Sequence, residues 1–152
     1  MRIAMIGVGY VGLVSGACFS EFGINVICVD KLSEKIDVLN NGQIPIYEPE
    51  LESLVSRNVE AGRLSFTDDL KKAVKGAEAV FITVGTPSRR GDGHADLTFV
   101  YEAAREISRA MDDYTVIVTK STVPVGTGDE VEEIIKNECP GGNFDVVSNP
   151  EF

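Results

Sequence analysis

The feature that most constrains the fold is a hexapeptide near the amino terminus, residues 7–12, with the sequence GVGYVG. It lies between the apolar run 3–6 and a stretch of small and apolar residues that is typical of a helix. In a strand–turn–helix unit, Gly7 permits a tight turn, Gly9 lets a pyrophosphate approach the backbone, and Gly12 lets the helix pack closely on the sheet. The hexapeptide therefore predicts a dinucleotide-binding turn, and a merely tight turn without a ligand is the alternative.

Short β-branched runs alternate with helical patterns along the whole chain. The runs are continuously apolar, as expected for strands that are covered on both faces. Six such runs with intervening helices predict an α/β fold, a doubly wound parallel sheet of the Rossmann type with strand order 3-2-1-4-5-6 and helices on both faces. One domain spanning residues 1–152 suits this length. The predicted strands are 3–6, 26–30, 64–67, 79–83, 115–119 and 144–147.

Charge and cysteine content limit the class of partner. The net charge is −10, and the basic residues form no cluster beyond Arg89 and Arg90, which argues against nucleic acid or an anionic membrane as partner. No apolar run approaches the ~20 residues of a membrane span, so we expect a cytoplasmic protein. Phosphates can still bind, because backbone N–H groups at a helix start can hold them. Cys18, Cys28 and Cys139 lack metal-type spacing, which predicts no metal site.

Asp30 ends the second predicted strand, 18 residues after Gly12. An acidic side chain at this point accepts hydrogen bonds from the hydroxyls of an adenine ribose and repels a 2′-phosphate, so the sequence predicts NAD rather than NADP. Lys35 follows on the next helix, within reach of the ribose. The alternatives are a helix cap or a solvated strand end for Asp30 and a surface lysine for Lys35.

These residues resemble a known family, the UDP-glucose/GDP-mannose dehydrogenases. The resemblance covers essentially all 152 residues and rests on several motifs in register. One departure is Glu50, where the family usually has Gly after Glu-Pro, and it concerns the turn at that point. The motifs are GVGYVG at 7–12, Val29-Asp30 with Lys35-Ile36, PIYEP at 45–49, VGTP at 84–87, KSTVPVG at 120–126 and SNPEF at 148–152.

The resemblance implies an NAD site and an adjoining catalytic site. Thr86 and Thr122 follow the fourth and fifth strands on one rim, where their hydroxyls can bond the nicotinamide side of the cofactor or a water, or serve only as turn or cap residues. Glu151 follows the sixth strand and is implied to assist proton transfer, so Glu151 and Thr122 are the predicted catalytic residues. The predicted cofactor-binding residues are Gly7, Val8, Gly9, Tyr10, Val11, Gly12, Asp30, Lys35, Thr86, Ser121 and Thr122.

The resemblance further implies oxidation of UDP-glucose to UDP-glucuronate by two successive NAD reductions, with a cysteine thiolate capturing the intermediate aldehyde. Residues 85–96 and 120–128 resemble the UDP-glucose branch more than the mannose branch, and GDP-mannose or another nucleotide sugar is the alternative substrate. The family's nucleophilic cysteine lies beyond residue 152. We therefore expect a fragment that is inactive alone, with the central helix and the sugar-nucleotide domain absent, and a homodimer for the full-length protein.

Three other classes remain open from the residues alone. Another nicotinamide dehydrogenase has the same glycine turn, and so does a stand-alone NAD-binding module without chemistry. A methyltransferase also pairs a glycine turn with an acidic strand end. His94, the one histidine, lies in a polar loop and is interpreted as a solvated side chain rather than a base. For Arg89 and Arg90, solvent, a partner subunit and the cofactor are all open as neighbours.

Overall fold

Strands and helices alternate along residues 1–151, the part of the chain that the computed structural model describes. Phe152, the last residue of the predicted SNPEF motif, lies outside it. The strands are β1 (Arg2–Ile6), β2 (Asn25–Val29), β3 (Leu64–Thr67), β4 (Ala79–Ile82), β5 (Thr115–Thr119) and β6 (Phe144–Ser148). The helices are α1 (Tyr10–Glu21), α2 (Ser33–Asn40), α3 (Leu51–Glu60), α4 (Leu70–Val74), α5 (Thr98–Ala110) and α6 (Thr127–Glu138).

All six strands form one sheet in the order β3-β2-β1-β4-β5-β6, and every neighbouring pair is parallel. This confirms the predicted fold class and strand order. Asp30 and Thr83, which were predicted as the last residues of two strands, lie one position beyond β2 and β4. Both therefore lie at the carboxyl ends of strands, where the backbone leaves the sheet and polar side chains can face a ligand.

Each face of the sheet carries its own apolar core, because successive strand residues point to opposite sides. In β1, Ile3 and Met5 pack on one face, and Ala4 and Ile6 pack on the other. The first core is covered by apolar residues of α1, α2 and α3, and the second by those of α4, α5 and α6. The covering residues of the first core include Leu13, Ala17, Ile36, Leu39, Leu51 and Val55, and those of the second include Val74, Val100, Ile107, Val131 and Ile135.

Glu50, the departure from the family pattern, adopts the left-handed conformation with a φ of 66°. It precedes α3, and its carbonyl oxygen accepts hydrogen bonds from the Leu54 N–H at 3.0 Å and the Ser53 hydroxyl at 2.9 Å. Glycine enters this conformation without the clash that a Cβ causes. The chain therefore keeps a left-handed turn here in spite of the side chain.

Candidate cofactor-binding site

A cleft of about 620 Å³ opens at the carboxyl ends of β1, β2 and β4. It lies where the strand order reverses, because α1 and α5, which come after β1 and β4, pack on opposite faces of the sheet. Open α/β sheets bind ligands at this point, and the volume is within the range of small-molecule sites. Asp30 lines the cleft on one side, Val84 and Gly85 follow β4, and Phe99 comes from the first turn of α5.

The turn after β1 requires glycine at its first and last positions. Gly7 has a φ of +105°, and a Cβ on it would lie 2.8 Å from the carbonyl oxygen of Thr83. A Cβ on Gly12 would lie 1.9 Å from the carbonyl oxygen of Gly7. The Thr83 hydroxyl fastens the turn to β4, since it lies within hydrogen-bonding distance of the carbonyl oxygens of Ile6 (2.9 Å) and Gly7 (2.8 Å). The packing of the protein itself therefore demands these two glycines.

Gly9 differs from them, because a Cβ built on it would meet no atom within 4 Å. Its φ of −84° is open to any residue. Gly9 also lines the cleft and precedes α1, whose amino-terminal end is capped by no side chain. The first N–H groups of a helix lack partners inside the helix and favour an anion. The absent side chain at Gly9 thus leaves space in front of an anion-binding helix end.

Asp30 is fixed by three hydrogen bonds. Its Oδ2 accepts from the Val8 N–H at 3.0 Å and from the Lys35 ammonium at 3.0 Å, and its Oδ1 accepts from the Leu32 N–H at 3.1 Å. Partial burial raises the pKa of the Asp30 carboxyl, but these hydrogen bonds outweigh it, and the net pKa lies below its usual value. The carboxylate is therefore ionised and oriented, and its Oδ1 retains capacity for a further donor.

The loops after β4, β5 and β6 meet at a second place on the same edge of the sheet. This place is defined by Thr86, Lys120, Thr122 and Glu151 and is called the catalytic rim after the role predicted for Thr122 and Glu151. The Thr86 hydroxyl donates to the carbonyl oxygen of Thr122 at 3.1 Å, and the Thr122 hydroxyl donates to that of Glu151 at 2.5 Å. The Lys120 ammonium lies 3.2 Å from the Glu151 carboxylate. The structure thus brings the two predicted catalytic residues together.

Two other predicted residues, Val8 and Ser121, are buried and are not among the residues that line the cleft. The Val8 side chain is buried in the core beneath the turn, and its N–H is the group that reaches Asp30. The Ser121 hydroxyl is buried as well and donates to the carbonyl oxygen of Val84 at 2.8 Å, which ties the loop after β5 to the loop after β4. Their described contacts are with the protein itself and hold the surrounding loops in place.

Tyr10, at the start of α1, points its half-exposed ring toward the PIYEP loop. Its hydroxyl donates to the Glu48 carboxylate at 2.5 Å. This hydrogen bond raises the pKa of Tyr10 above its usual value, with smaller contributions from burial and from the negative charges of Glu48 and Glu151. The phenol is therefore protonated at neutral pH and anchors the loop beside the helix end.

The polar loop 85–96 contains both Arg89 and His94, and it folds back on itself. The Arg89 N–H donates to the carbonyl oxygen of His94 at 2.7 Å, and the Arg89 guanidinium lies 3.0 Å from the Asp92 carboxylate. His94 is exposed. This loop-internal ion pair is none of the three neighbours left open for Arg89, which were solvent, a partner subunit and the cofactor.

Thr83 and Lys31, which lie outside the quoted motifs, help to build the site, and so does Lys120, which lies in the KSTVPVG motif but was not among the predicted site residues. Thr83 ends the apolar run 79–83, and a polar residue at the carboxyl end of a central strand is a signal that could have identified it. Lys31 lines the cleft next to Asp30 and pairs with α5, 75 positions away in sequence at Glu106. Such a partner has no local signal.

Within residues 1–151, no group of three or more His, Cys, Asp or Glu side chains is arranged to hold a metal ion. None of the helices in the described part of the chain combines the length and the apolar character needed to span a membrane.

Comparison with known proteins places this geometry in a family. The model of the UDP-glucose/GDP-mannose dehydrogenase family, NAD binding domain, matches residues 1–152. A UDP-glucose 6-dehydrogenase of Rhizobium meliloti (strain 1021) is 65% identical over 100% of this chain and 35% of its own length. The UDP-glucose 6-dehydrogenase TuaD of Bacillus subtilis (strain 168) is 53% identical over 99% of this chain and 33% of its length. The chain spans about a third of the length of these curated relatives.

Solved structures agree with the sequence relatives. A UDP-glucose dehydrogenase from the archaeon Pyrobaculum islandicum superposes with a TM-score of 0.93 at 40% identity, over 99% of this chain and 36% of the other. A GDP-mannose dehydrogenase from Pseudomonas aeruginosa superposes with a TM-score of 0.94 at 42% identity, over 100% of this chain and 36% of the other. The chain therefore belongs to the UDP-glucose/GDP-mannose dehydrogenase family and is its N-terminal NAD-binding domain.

Proposed function

We propose that residues 1–152 form one domain that binds NAD across the cleft and presents its nicotinamide to the catalytic rim. Asp30 takes the adenine ribose through Oδ1, and the uncapped start of α1 takes the pyrophosphate. The observation that carries this proposal is the contrast among the glycines. Gly7 and Gly12 are packed against protein atoms, whereas Gly9 has open space at the mouth of the helix. A fold that needed only a tight turn would have no use for glycine at position 9.

The hydroxyls of Thr86 and Thr122 have a defined role in this proposal. Each already donates its proton to a backbone carbonyl oxygen. A hydroxyl that donates in this way still offers lone pairs to another donor. We assign these lone pairs to the carboxamide N–H groups of the nicotinamide or to an ordered water, which would orient the reacting ring without a charged contact.

Glu151 is proposed as the general base that accepts the proton released during the reaction. NAD supplies the hydride acceptor when it is bound, and oxidation of an alcohol also releases a proton. A carboxylate that faces solvent and is held by Lys120 at 3.2 Å can accept that proton directly or through a water. Lys120 then acts as a positioning residue, because its side chain is only 17% exposed and pins one carboxylate oxygen.

For the whole protein, we propose oxidation of UDP-glucose to UDP-glucuronate with two NAD per sugar, on a homodimer. The support is the 65% identity to a UDP-glucose 6-dehydrogenase over the full length of this chain. GDP-mannose is the alternative substrate, because the GDP-mannose enzyme superposes as closely as the UDP-glucose enzyme does. The 152-residue chain alone is proposed to be inactive, since none of its three cysteines lines the cleft. The cytoplasmic location stays a prediction.

Two measurements test these proposals. Titration calorimetry of the 152-residue chain should show binding of NADH and none of S-adenosylmethionine. Binding of the latter in place of NADH would point to a methyltransferase and would overturn the cofactor assignment. The full-length gene product should reduce NAD with UDP-glucose far faster than with GDP-mannose, and the opposite order would move it to the mannose branch.

A further inference from the structure

The adenosine end of the cleft carries more negative charge than Asp30 alone provides. Its lining includes four carboxylates and two ammonium groups. One of the ammonium groups, that of Lys35, forms an ion pair with Asp30, and its Nζ lies 3.0 Å from Oδ2 of the carboxylate. The charged lining residues are Asp30, Lys31, Lys35, Asp68, Glu102 and Glu106.

Lys31, the second ammonium group, is held by α5. Its Nζ lies 2.7 Å from Oε1 of Glu106 and 3.6 Å from Oε2 of Glu102. The hydrogen bond to Glu106 is the largest influence that raises the pKa of Lys31 above its usual value. The ion pair spans the cleft from the loop after β2 to α5. Because all three side chains are more than a third exposed, the pair contributes little to folding stability.

The position of Lys31 suggests that its ion pair with α5 affects the choice between NAD and NADP. Dinucleotide sites that accept a 2′-phosphate do so with a cation near the acidic position at the end of the second strand. Lys31 directly follows Asp30 and lines the same cleft, so it stands where such a cation would act. Its ammonium group instead forms ion pairs with the carboxylates of Glu102 and Glu106.

We propose that Glu102 and Glu106 form a second determinant of cofactor choice, which excludes 2′-phosphorylated dinucleotides by holding Lys31 on α5. This inference rests on the proposed binding of NAD in the cleft. It differs from the role of Asp30, because the glutamates lie on α5 and act through Lys31, with which they pair. Replacing Asp30 alone leaves Lys31 captured, so that change should relax cofactor choice only in part.

The test compares three variants of the 152-residue chain by calorimetric titration with NADH and NADPH. Glu102→Gln/Glu106→Gln frees Lys31 and should tighten NADPH binding roughly tenfold, because the freed ammonium group can pair with the 2′-phosphate dianion. The ratio of NADPH affinity to NADH affinity should therefore rise, because NADH has no 2′-phosphate with which the freed Lys31 could pair. Adding Lys31→Gln to this variant should remove most of the gain.

The matched control is Glu52→Gln/Glu60→Gln, which changes the net charge by the same amount. Both residues are exposed on α3, and neither lines the cleft. An equal gain in NADPH affinity in this control would mean that the change in net charge causes the gain, and it would overturn the proposal.

The other outcomes are also decisive. A gain that survives Lys31→Gln would overturn the role of Lys31. Unchanged NADPH affinity in Glu102→Gln/Glu106→Gln would overturn the role of the glutamates. Loss of NADH binding in that variant, with an unchanged circular dichroism spectrum and melting temperature, would place the glutamates in the NAD site itself and also contradict the proposal. If the unmodified chain bound neither NADH nor NADPH, the proposed function would fail, and this inference would fail with it.

Discussion

Asp30 and Glu151 stand at the two ends of the candidate site, and their surroundings differ. The Asp30 side chain is 12% exposed and receives two backbone N–H groups and one ammonium group. The Glu151 side chain is 46% exposed, and the ammonium group of Lys120 lies 3.2 Å away. Under the proposed function, the adenosine end of the site is therefore held by the chain's own atoms, whereas the reacting end faces solvent.

The largest expected effect concerns turnover at the exposed end. The 152-residue chain, mixed with NAD and UDP-glucose, should produce no measurable NADH absorbance at 340 nm. An open rim does not position the sugar, and positioning alone can supply ~7–11 kcal/mol of a barrier. Water around the nicotinamide also weakens electrostatic assistance. The full-length protein is the control and should give two NADH per sugar. Sustained NADH production by the 152-residue chain would mean that the catalytic rim is sufficient for turnover, and it would contradict the contrast drawn between the two ends of the site.

The next effect tests the glycine turn. Gly9→Val should weaken NADH binding by more than ~100-fold, about 2.7 kcal/mol, because the side chain would fill the space in front of α1. Its melting temperature should stay close to that of the unmodified chain, since a Cβ at position 9 meets no protein atom within 4 Å.

Gly12→Ala serves as the contrast to Gly9→Val. Its Cβ would lie 1.9 Å from a backbone oxygen, and the strain should destabilise the fold by roughly 3 kcal/mol. Thermal unfolding followed by circular dichroism distinguishes the two variants. A destabilised Gly9→Val protein, or one that binds NADH undiminished, would show that this glycine serves another purpose.

A smaller effect is expected at Asp30. The unmodified chain should bind NADPH more weakly than NADH by at least ~1.4 kcal/mol, a tenfold difference. Asp30→Ala should narrow that gap, because it removes both a ribose hydrogen bond and a repulsive charge. Titration calorimetry with NADH and NADPH measures this difference in affinity for the unmodified chain and for the variant. Equal affinities in the unmodified chain would refute the ribose role.

The smallest expected effect is the pH dependence of the folding stability that Asp30 contributes. Because the pKa of Asp30 is lowered in the folded chain, its ionised form contributes stability above the unfolded value of about 3.9, and this is lost as the pH falls through the lower folded value. Asp30→Asn lacks this contribution at every pH. The melting temperatures of the two proteins should therefore differ most at pH 7 and converge toward pH 3. A difference that stayed constant with pH would show that Asp30 is not stabilised by ionisation.

Sequence periodicity predicted the fold closely, and the reason is local. Continuous apolar runs and the glycine turn specify strands that are covered on both faces, and right-handed crossovers then leave few arrangements of six parallel strands. Side-chain direction was less predictable. Ser121 belongs to a cofactor motif, yet its hydroxyl is turned into the loop after β4. Motif membership marks the position of a residue in the chain and leaves the partner of its side chain undetermined.

The sequence by itself determined the parallel sheet, the turn at residues 7–12 and the acidic end of β2, because each depends on neighbours within a few positions. Only the tertiary structure decided which glycines the packing requires and which one leaves space. Only it joined Lys31 to Glu106, 75 positions away, and Tyr10 to Glu48, 38 positions away. These pairs arise where separate loops converge at one edge of the sheet. The strand order brings these loops together, but no local pattern of residues encodes which of their side chains meet.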